Sequence, residues 1–366
     1  GGGGVGFRAP PDGGPLLFKT PTKKKKKTGG GGGGPPPPPA ASCDMQKSVA
    51  AIYAGTLQKI FALYAFFIVL VRRSWYNFFM ERVTVLSPAK VNLSLHINGV
   101  QGGFHMIESL VTTVDLCDKI TARRRSDGQI VLHMHGEGSE SIPFQDNNAV
   151  RAAQLFMHKF SAGGADITVE KRIPIGAGLG GSSADAAGVL NALCALYEKK
   201  LASVEDIADA VGSDTRYMLR GGWAVISGRG NCISDVNTSL RPWFVILVPQ
   251  GSVSAGQCYR VYDSIERGAC VSNTALLAAE NNDFNGLCAG LYNALYAPAK
   301  IILPEVEGAL KDALTLSPAA CMSGSGSAVF ALFENRAVAR KAYSAYRGSC
   351  RAFLAGTCLP RTLQGE

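Results

Sequence analysis

The 366-residue chain contains ten cysteines but no C-x-x-C pair and no Cys/His spacing of a zinc site. Thiols scattered in this way exclude a disulfide framework and suit reduced, often buried cysteines of a cytoplasmic protein. Charged residues make up only 18% against 46% hydrophobic, which excludes a solvated, unstructured chain overall and points to a real core. The formal charge of +9 does not imply a nucleic-acid or membrane partner. Residues 1–79 carry eleven Lys or Arg against two acids, so the remainder holds 26 of each sign and has no global field for a polyanion. The triplet Arg123-Arg124-Arg125 is a local exception that reads as a solvated strand end.

Catalytic signatures of several large classes are also missing. There is no G-x-x-x-x-G-K-[ST] phosphate loop, no H-R-D with D-F-G of a protein kinase, and no G-x-S-x-G nucleophile elbow. Nor is there an uncharged apolar run long enough to span a bilayer. The longest, 60–71, has 12 residues between Lys59 and Arg72-Arg73, where about 20 are needed.

Residues 1–44 are almost pure low complexity, with runs of glycine, lysine and proline that cannot bury enough apolar surface to offset chain entropy. Disorder is the expectation there. Gly, Lys and Pro are what runs of G, A and C encode, so translated non-coding sequence would read this way. We therefore expect 1–79 to stand outside the fold, which would start at Met80. A membrane anchor or a targeting segment is the alternative. The expected location is the cytoplasm, or a plastid if 1–79 is a targeting segment.

From Arg82 the pattern turns regular. Val91, Leu93, Leu95 and Ile97 alternate with Asn92, Ser94 and His96, the period of a strand with one buried face. Further strands are expected at 107–114, 130–135, 166–170, 223–227, 243–248 and 328–333. Helices are expected at 147–160, from Ser182 onward, at 203–211, around 273–295, at 304–315 and at 335–347. Strands and helices mix without strict βαβ alternation, which favours an α+β fold over a doubly wound sheet. A boundary near residue 240 divides 80–240 from 241–366.

The richest segment is 174–187, PIGAGLGGSSADAA, which joins a strand to a helix through four glycines. Glycine lets backbone approach a ligand, and free amides at a helix N-terminus make a phosphate cradle. Ser182 stands where an N-cap belongs, with Asp185 three residues on as in a capping box. An ordinary glycine turn before a capped helix is the competing reading. Gly176, Gly178 and Gly181 spell G-x-G-x-x-G, but a dinucleotide site needs an acid about 20 residues on, and Lys199-Lys200-Leu201 stands there. Lys90 and Asn92, two apart, share one face of a strand and could present a cation and an amide to an anion. Asp214 follows Gly212-Ser213 at a turn, where an acid is more often a helix cap than a base. The segments 102–105, GGFH, and 321–329, CMSGSGSAV, complete the set, and each alone reads as a tight turn.

In series, P-A-K-V-N-L, G-F-H, P-I-G-A-G-L-G-G-S-S-A-D-A-A, G-S-D and S-G-S-G-S resemble the GHMP kinase superfamily, from about Glu81 to the C-terminal region. The resemblance implies a two-domain fold: an N-terminal domain like the second domain of ribosomal protein S5, and a ferredoxin-like C-terminal domain. It implies an ATP-dependent small-molecule kinase with Mg²⁺ as cofactor, for which no protein metal ligand is singled out. Pro174, Gly176, Gly178, Leu179, Gly180, Gly181, Ser182, Ser183 and Ala184 would hold the nucleotide. Asp214 matches the general base, and Lys90 the lysine that keeps it ionised.

Asn92, Phe104, His105, Tyr259, Gly324, Ser325 and Gly326 match substrate-side positions, His105 facing a cytosine and Gly324–Gly326 closing the phosphate site. The G-F-H segment and the P-A-K-V-N-L start favour the branch that phosphorylates the 2-hydroxyl of a cytidine diphosphate-linked methylerythritol on the non-mevalonate route to isoprenoids. Homoserine and mevalonate-type substrates, or a silent metabolite-binding relative, are the alternatives. The partner implied is a small molecule, with no nucleic acid or membrane, in a monomer or homodimer. Four positions depart from the family pattern: Phe104 replaces Tyr, Thr215-Arg216 replaces Val-Pro, Asn231 replaces Glu, and Val253-Ser254-Ala255 lacks the usual threonine.

Overall fold

The computed structural model describes residues 81–265 and 272–358, which lie within one unit, Arg73–Glu366. The expectations for 1–79, including a start at Met80, fall outside the described residues.

One long strand organises the first sheet. β1 (Arg82–Asn92), β2 (Ser94–Gln101) and β3 (Phe104–Arg124) follow one another, and β3 pairs antiparallel with both. β4 (Ile130–His135) lies parallel to β5 (Ala165–Glu170), which pairs with the far end of β3. β6 (Ala224–Gly228) pairs with the near end of β3 and with β7 (Cys232–Asp235). Between β4 and β5 runs α1 (Asn148–Phe160), whose N-cap Asn147 accepts a 2.9 Å hydrogen bond from the Ala149 amide.

α2 (Gly181–Leu196) lies against β1 and β3. It is buried almost all round, because alanines and Gly188 let it approach the sheet. A Cβ on Gly188 would stand 2.7 Å from Ile120 Cδ1. α3 (Glu205–Val211) and α4 (Thr215–Arg220) follow, flanking Asp214.

The second sheet is antiparallel, in the order β10 (Ala320–Met322), β11 (Val329–Phe333), β8 (Trp243–Val248), β12 (Arg351–Gly356). β8 and β11 read as unbroken apolar runs because both faces are covered. Phe244, Ile246, Phe330 and Leu332 join the core of the first sheet. Val245, Leu247, Val329 and Ala331 form a second core with Val306, Ala309 and Ala313. Those last three belong to α9 (Glu305–Leu316). The other helices here are α5 (Ala255–Ser264), α6 (Thr274–Glu280), α7 (Phe284–Ala289), α8 (Tyr296–Ile302) and α10 (Arg336–Ala345). The short β9 (Tyr292–Asn293) pairs in parallel with β2. The architecture is α+β, as expected.

Several expected elements change on folding. The single strand through 91–97 is broken at Leu93 into β1 and β2, and its polar side does not face water. Lys90, Asn92, Ser94 and His96 are all buried, because polar side chains and loops from later in the chain cover them. The strand at 107–114 extends over Phe104–Arg124. The helix around 273–295 is two short helices and a strand, interrupted at Asn282, whose φ is 59°, and at Gly290. Ser182 is not an N-cap and Asp185 is not the acid of a capping box. Gly180, with φ 72°, caps α2 and has no side chain to do it with. The Ser182 hydroxyl meets Asn148 Nδ2 at 2.8 Å, and Asp185 turns inward to Lys171. The arginine triplet ends β3 as a solvated strand end, with Arg124 donating to the Leu196 carbonyl of α2 and Arg125 pairing with Asp127.

Candidate active site

The Gly-rich loop leaves β5 through Lys171, Arg172 and Ile173, and buried Asp118 anchors all three. Its carboxylate accepts from Lys171 Nζ at 2.5 Å and from the amides of Arg172 and Ile173 at 2.6 and 2.9 Å. The loop then needs positive φ at Gly176, Gly178 and Gly180. Two of these glycines are also needed for close approach. A Cβ on Gly178 would fall 2.2 Å from the Ser323 carbonyl oxygen, and one on Gly180 would fall 2.9 Å from Lys90 Cγ. Hydrogen bonds close those approaches: the Lys90 amide donates to the Leu179 carbonyl, Ser323 Oγ to the Gly178 carbonyl, and the Ala328 amide to the Ala177 carbonyl. The two Gly-rich segments, far apart in sequence, are therefore one structure.

Beside this loop lies a cavity of about 200 Å³ lined by Pro174, Gly176, Leu179 and Ser182, with Lys171 and Asp185 in its wall. The first amides of α2 have no side-chain cap, so they are available to an anion. Oxygen donors suited to a magnesium ion on this wall are the hydroxyls of Ser182 and Ser183 and the Asp185 carboxylate, the last already matched by Lys171. Burial pushes the Asp185 carboxyl up to about 8, with Lys171 opposing the rise and Asp118 adding to it. Burial works to lower the Lys171 ammonium, but the Asp185 and Asp118 charges outweigh it and the group is raised. The trio is an ammonium held between two carboxyl groups, and burial favours the neutral form of Asp185.

Lys90, Asn92 and Asp214 meet at the other side of the loop. Lys90 Nζ donates to Asn92 Oδ1 at 2.5 Å and lies 3.6 Å from Asp214 Oδ2. The Asn92 amide donates to Ser323 Oγ at 3.2 Å, and its Nδ2 to Ser109 Oγ at 2.7 Å. Asp214 occupies the N-cap position of α4, yet its carboxylate makes no cap hydrogen bond. It faces the lysine instead, which decides against the helix-cap reading. Thr215 is buried, and Arg216 turns away to pair with Glu205 and Asp209 on α3, so the departure from Val-Pro leaves the Lys90 side of Asp214 clear. Beneath lies Tyr217, fully buried, its hydroxyl donating to the Gly222 carbonyl. Burial and the nearby Asp214 charge raise its phenol well above the usual value.

His105 and Tyr259 form a separate cluster, next to Phe104 in the chain. The His105 ring stacks on Tyr259 at 4.6 Å between centroids, and its Nε2 lies 2.8 Å from Asp263 Oδ1. Burial pushes the Tyr259 phenol up to about 12. Phe104 is 49% exposed, with the Arg229 guanidinium over its ring. From the Lys90 end a chain of hydrogen bonds runs along the buried polar side of β2 and β3: Asn92 to Ser109, Ser109 to the Ser94 carbonyl, Ser94 Oγ to Asn273 and Asn273 to Glu108.

The third segment, 323–327, is fixed by Asn293, which donates to the carbonyls of Met322 and Gly324. Gly324 and Gly326 both have positive φ, and a Cβ on Gly324 would lie 2.8 Å from the Gly178 carbonyl oxygen. Sequence reasoning missed Ser323, Asp118, Lys171, Asn273 and Asn293. Ser323 lies within a glycine segment already singled out, 321–329. The others act through partners distant in sequence, and nothing local marks them.

Among the described residues no group of three or more His, Cys, Asp or Glu could hold a metal ion, and no helix is long and apolar enough to cross a membrane.

Two family models match the chain: the GHMP kinase N-terminal domain over 147–225 and the GHMP kinase C-terminal domain over 275–352. The chain belongs to the GHMP kinases. Within them it is 34% identical to a 4-diphosphocytidyl-2-C-methyl-D-erythritol kinase of Listeria innocua over 281 residues, which is 74% of this chain and 94% of that one. It is 31% identical to the enzyme of the same name from Bacillus pumilus over 276 residues, again 74% and 94%. A crystal structure of 4-(cytidine 5'-diphospho)-2C-methyl-D-erythritol kinase superposes with a TM-score of 0.63 at 32% identity, covering 75% of this chain and 99% of that one. A homoserine kinase from Cytophaga hutchinsonii shares the fold with a TM-score of 0.57 at 15% identity, covering 78% and 97%.

Proposed function

We propose that this protein is an ATP-dependent kinase that phosphorylates the 2-hydroxyl of 4-diphosphocytidyl-2-C-methyl-D-erythritol, on the non-mevalonate route to isoprenoid precursors. The observation that carries the chemistry is the Asp214 carboxylate facing Lys90 at 3.6 Å beside the Gly-rich loop. The substrate rests on the activity named for relatives that align over nearly their whole length.

In this reading Asp214 takes the proton of the acceptor hydroxyl. The hydroxyl oxygen bonds to the γ-phosphorus, the bond from that phosphorus to the β,γ-bridging oxygen breaks, and ADP leaves. Phosphoryl transfer depends mainly on positioning and on stabilising the phosphoryl oxygens. The loop amides at 178–183 supply this without a P-loop lysine. Lys90, steadied by Asn92, places a cation beside both the base and the reacting oxygens. Pro174, Gly176, Leu179, Ser182 and Ala184 complete the nucleotide wall, and Gly324, Ser325 and Gly326 close it. Mg²⁺ would be carried by the ATP phosphates, with the Ser182 and Ser183 hydroxyls within reach of its shell, where it would neutralise phosphate charge. His105, Phe104 and Tyr259 would receive the cytidine end. We place the division between lobes near residue 240 and the protein in the cytoplasm.

ADP release and a product heavier by one phosphate, both strongly reduced in Asp214→Asn, are the expected results with ATP, Mg²⁺ and this substrate. A folded protein that binds ATP but leaves the substrate untouched would overturn the assignment in favour of another GHMP substrate or a silent relative.

A further inference from the structure

The turn between β6 and β7, residues 228–231, carries a side chain that neither the motifs nor the proposed chemistry use. Gly228 and Gly230 both take positive φ. The Gly230 amide donates to the Ser227 carbonyl at 3.2 Å, and the Arg229 amide to Asn231 Oδ1 at 3.1 Å. Asn231, where the family pattern has Glu, thus fixes the turn through its own side chain. Two neighbours locate the turn. A Cβ on Gly230 would stand 3.4 Å from Ser213 Cβ, the residue before Asp214. On the other side the Arg229 guanidinium carbon lies 3.6 Å from the centroid of the Phe104 ring.

Phe104 has no hydroxyl with which to fix its ring, and it is 49% exposed at the end of a hairpin. One of its faces is covered by the guanidinium, and the exposure leaves the ring open elsewhere. Phe104 immediately precedes His105, which stacks on Tyr259 in the cluster assigned to the cytidine end. A cation over an aromatic ring is attracted by its quadrupole, and a planar guanidinium also stacks. We propose that Arg229 is a positioning residue for the substrate: it holds Phe104 so that the free face of the ring is presented to a pyrimidine. The inference rests on the cytidine-substrate reading above.

The test is steady-state kinetics of the full chain with ATP and 4-diphosphocytidyl-2-C-methyl-D-erythritol, comparing Arg229→Gln, Arg229→Lys, Phe104→Leu and the double variant Phe104→Leu/Arg229→Gln. An exposed cation–π contact corresponds to a change of about two- to fivefold. Arg229→Gln should raise KM for the cytidine substrate by that factor, with kcat and KM for ATP unchanged. Arg229→Lys should recover part of the loss, because the cation is kept and the planar stack is not. In the Phe104→Leu background Arg229→Gln should add nothing. Additive losses would overturn the inference, since Arg229 would then act on the substrate directly, as would an unchanged KM in a protein that turns the substrate over. A wild-type protein that binds ATP but ignores the substrate would overturn the activity reading and this inference together.

Discussion

Lys90 Nζ is bonded to Asn92 at 2.5 Å and stands off from Asp214 at 3.6 Å. The lysine is buried, while the Asp214 side chain keeps 32% of its surface open. The carboxylate therefore has a cation beside it without being locked into a closed ion pair, and retains an oxygen for an incoming hydroxyl. Asp214→Asn should lower kcat by about 10²- to 10⁴-fold, the contribution of a positioned general base. Stability should change little, because a partly exposed pair is worth roughly 0–1 kcal/mol. Melting temperature and ADP release measured on the same preparation check both halves. A variant that loses activity only because it unfolds would argue against the role.

Gly178 tests whether the two Gly-rich segments act as one. An alanine there would have to take a φ of 76° and would drive its Cβ to 2.2 Å from the Ser323 carbonyl. Left-handed backbone costs a non-glycine residue about 1–2 kcal/mol, and forcing the loops apart adds about 1–3 kcal/mol. Gly178→Ala should lower thermal stability and raise KM for ATP together. Gly308→Ala, at a helical position with open space around it, is the control and should do neither. Equal effects from the two substitutions would mean that the loop contact is unimportant.

How far the site was legible depended on whether its determinants were local. Lys90 and Asn92 could be placed on one face from alternation alone, and glycine density marked both loops. Burial could not be read, because Ser323 reaches Asn92 across 231 positions and Asn273 reaches Ser94 across 179. β3 looked short because Asp115, Asp118 and Lys119 interrupt its apolar pattern after Val114. Asp118 is nonetheless buried, where β3 changes partners along its length. The cap of α2 was assigned to Ser182 by residue preference, but Gly180 can turn left-handed against Lys90, and that tertiary fit overrides the preference.

The His105 and Tyr259 rings lie 4.6 Å apart, in direct contact. A base stacked on both would need about twice the roughly 3.5–4 Å contact spacing of carbon atoms, so it must dock on an outer face or part the rings. In the proposed reading Tyr259 belongs to the cytidine end and not to the nucleotide loop. Tyr259→Leu should raise KM for the cytidine substrate by about two- to tenfold, the range of an aromatic pair worth 0.5–1.5 kcal/mol. KM for ATP should stay unchanged, and separate titrations of the two substrates check this. A rise confined to ATP would move Tyr259 out of the substrate cluster.

Asp185 carries a sign that can be worked out. Its carboxyl is raised from 3.8 to about 8 by burial, against the pull of Lys171 and with the push of Asp118. Between those values the folded protein keeps a proton that the unfolded chain has released. The stability this group contributes is thus full below about pH 4 and is lost as pH rises through about 8. Asp185→Asn removes the titration while keeping the shape and the acceptor oxygen toward Lys171. The variant should gain stability relative to wild type as pH goes from 6 to 9, and the two curves should run parallel above 9. Thermal melts across that range measure the difference directly. Parallel curves throughout would mean that Asp185 does not change its protonation between pH 6 and 9.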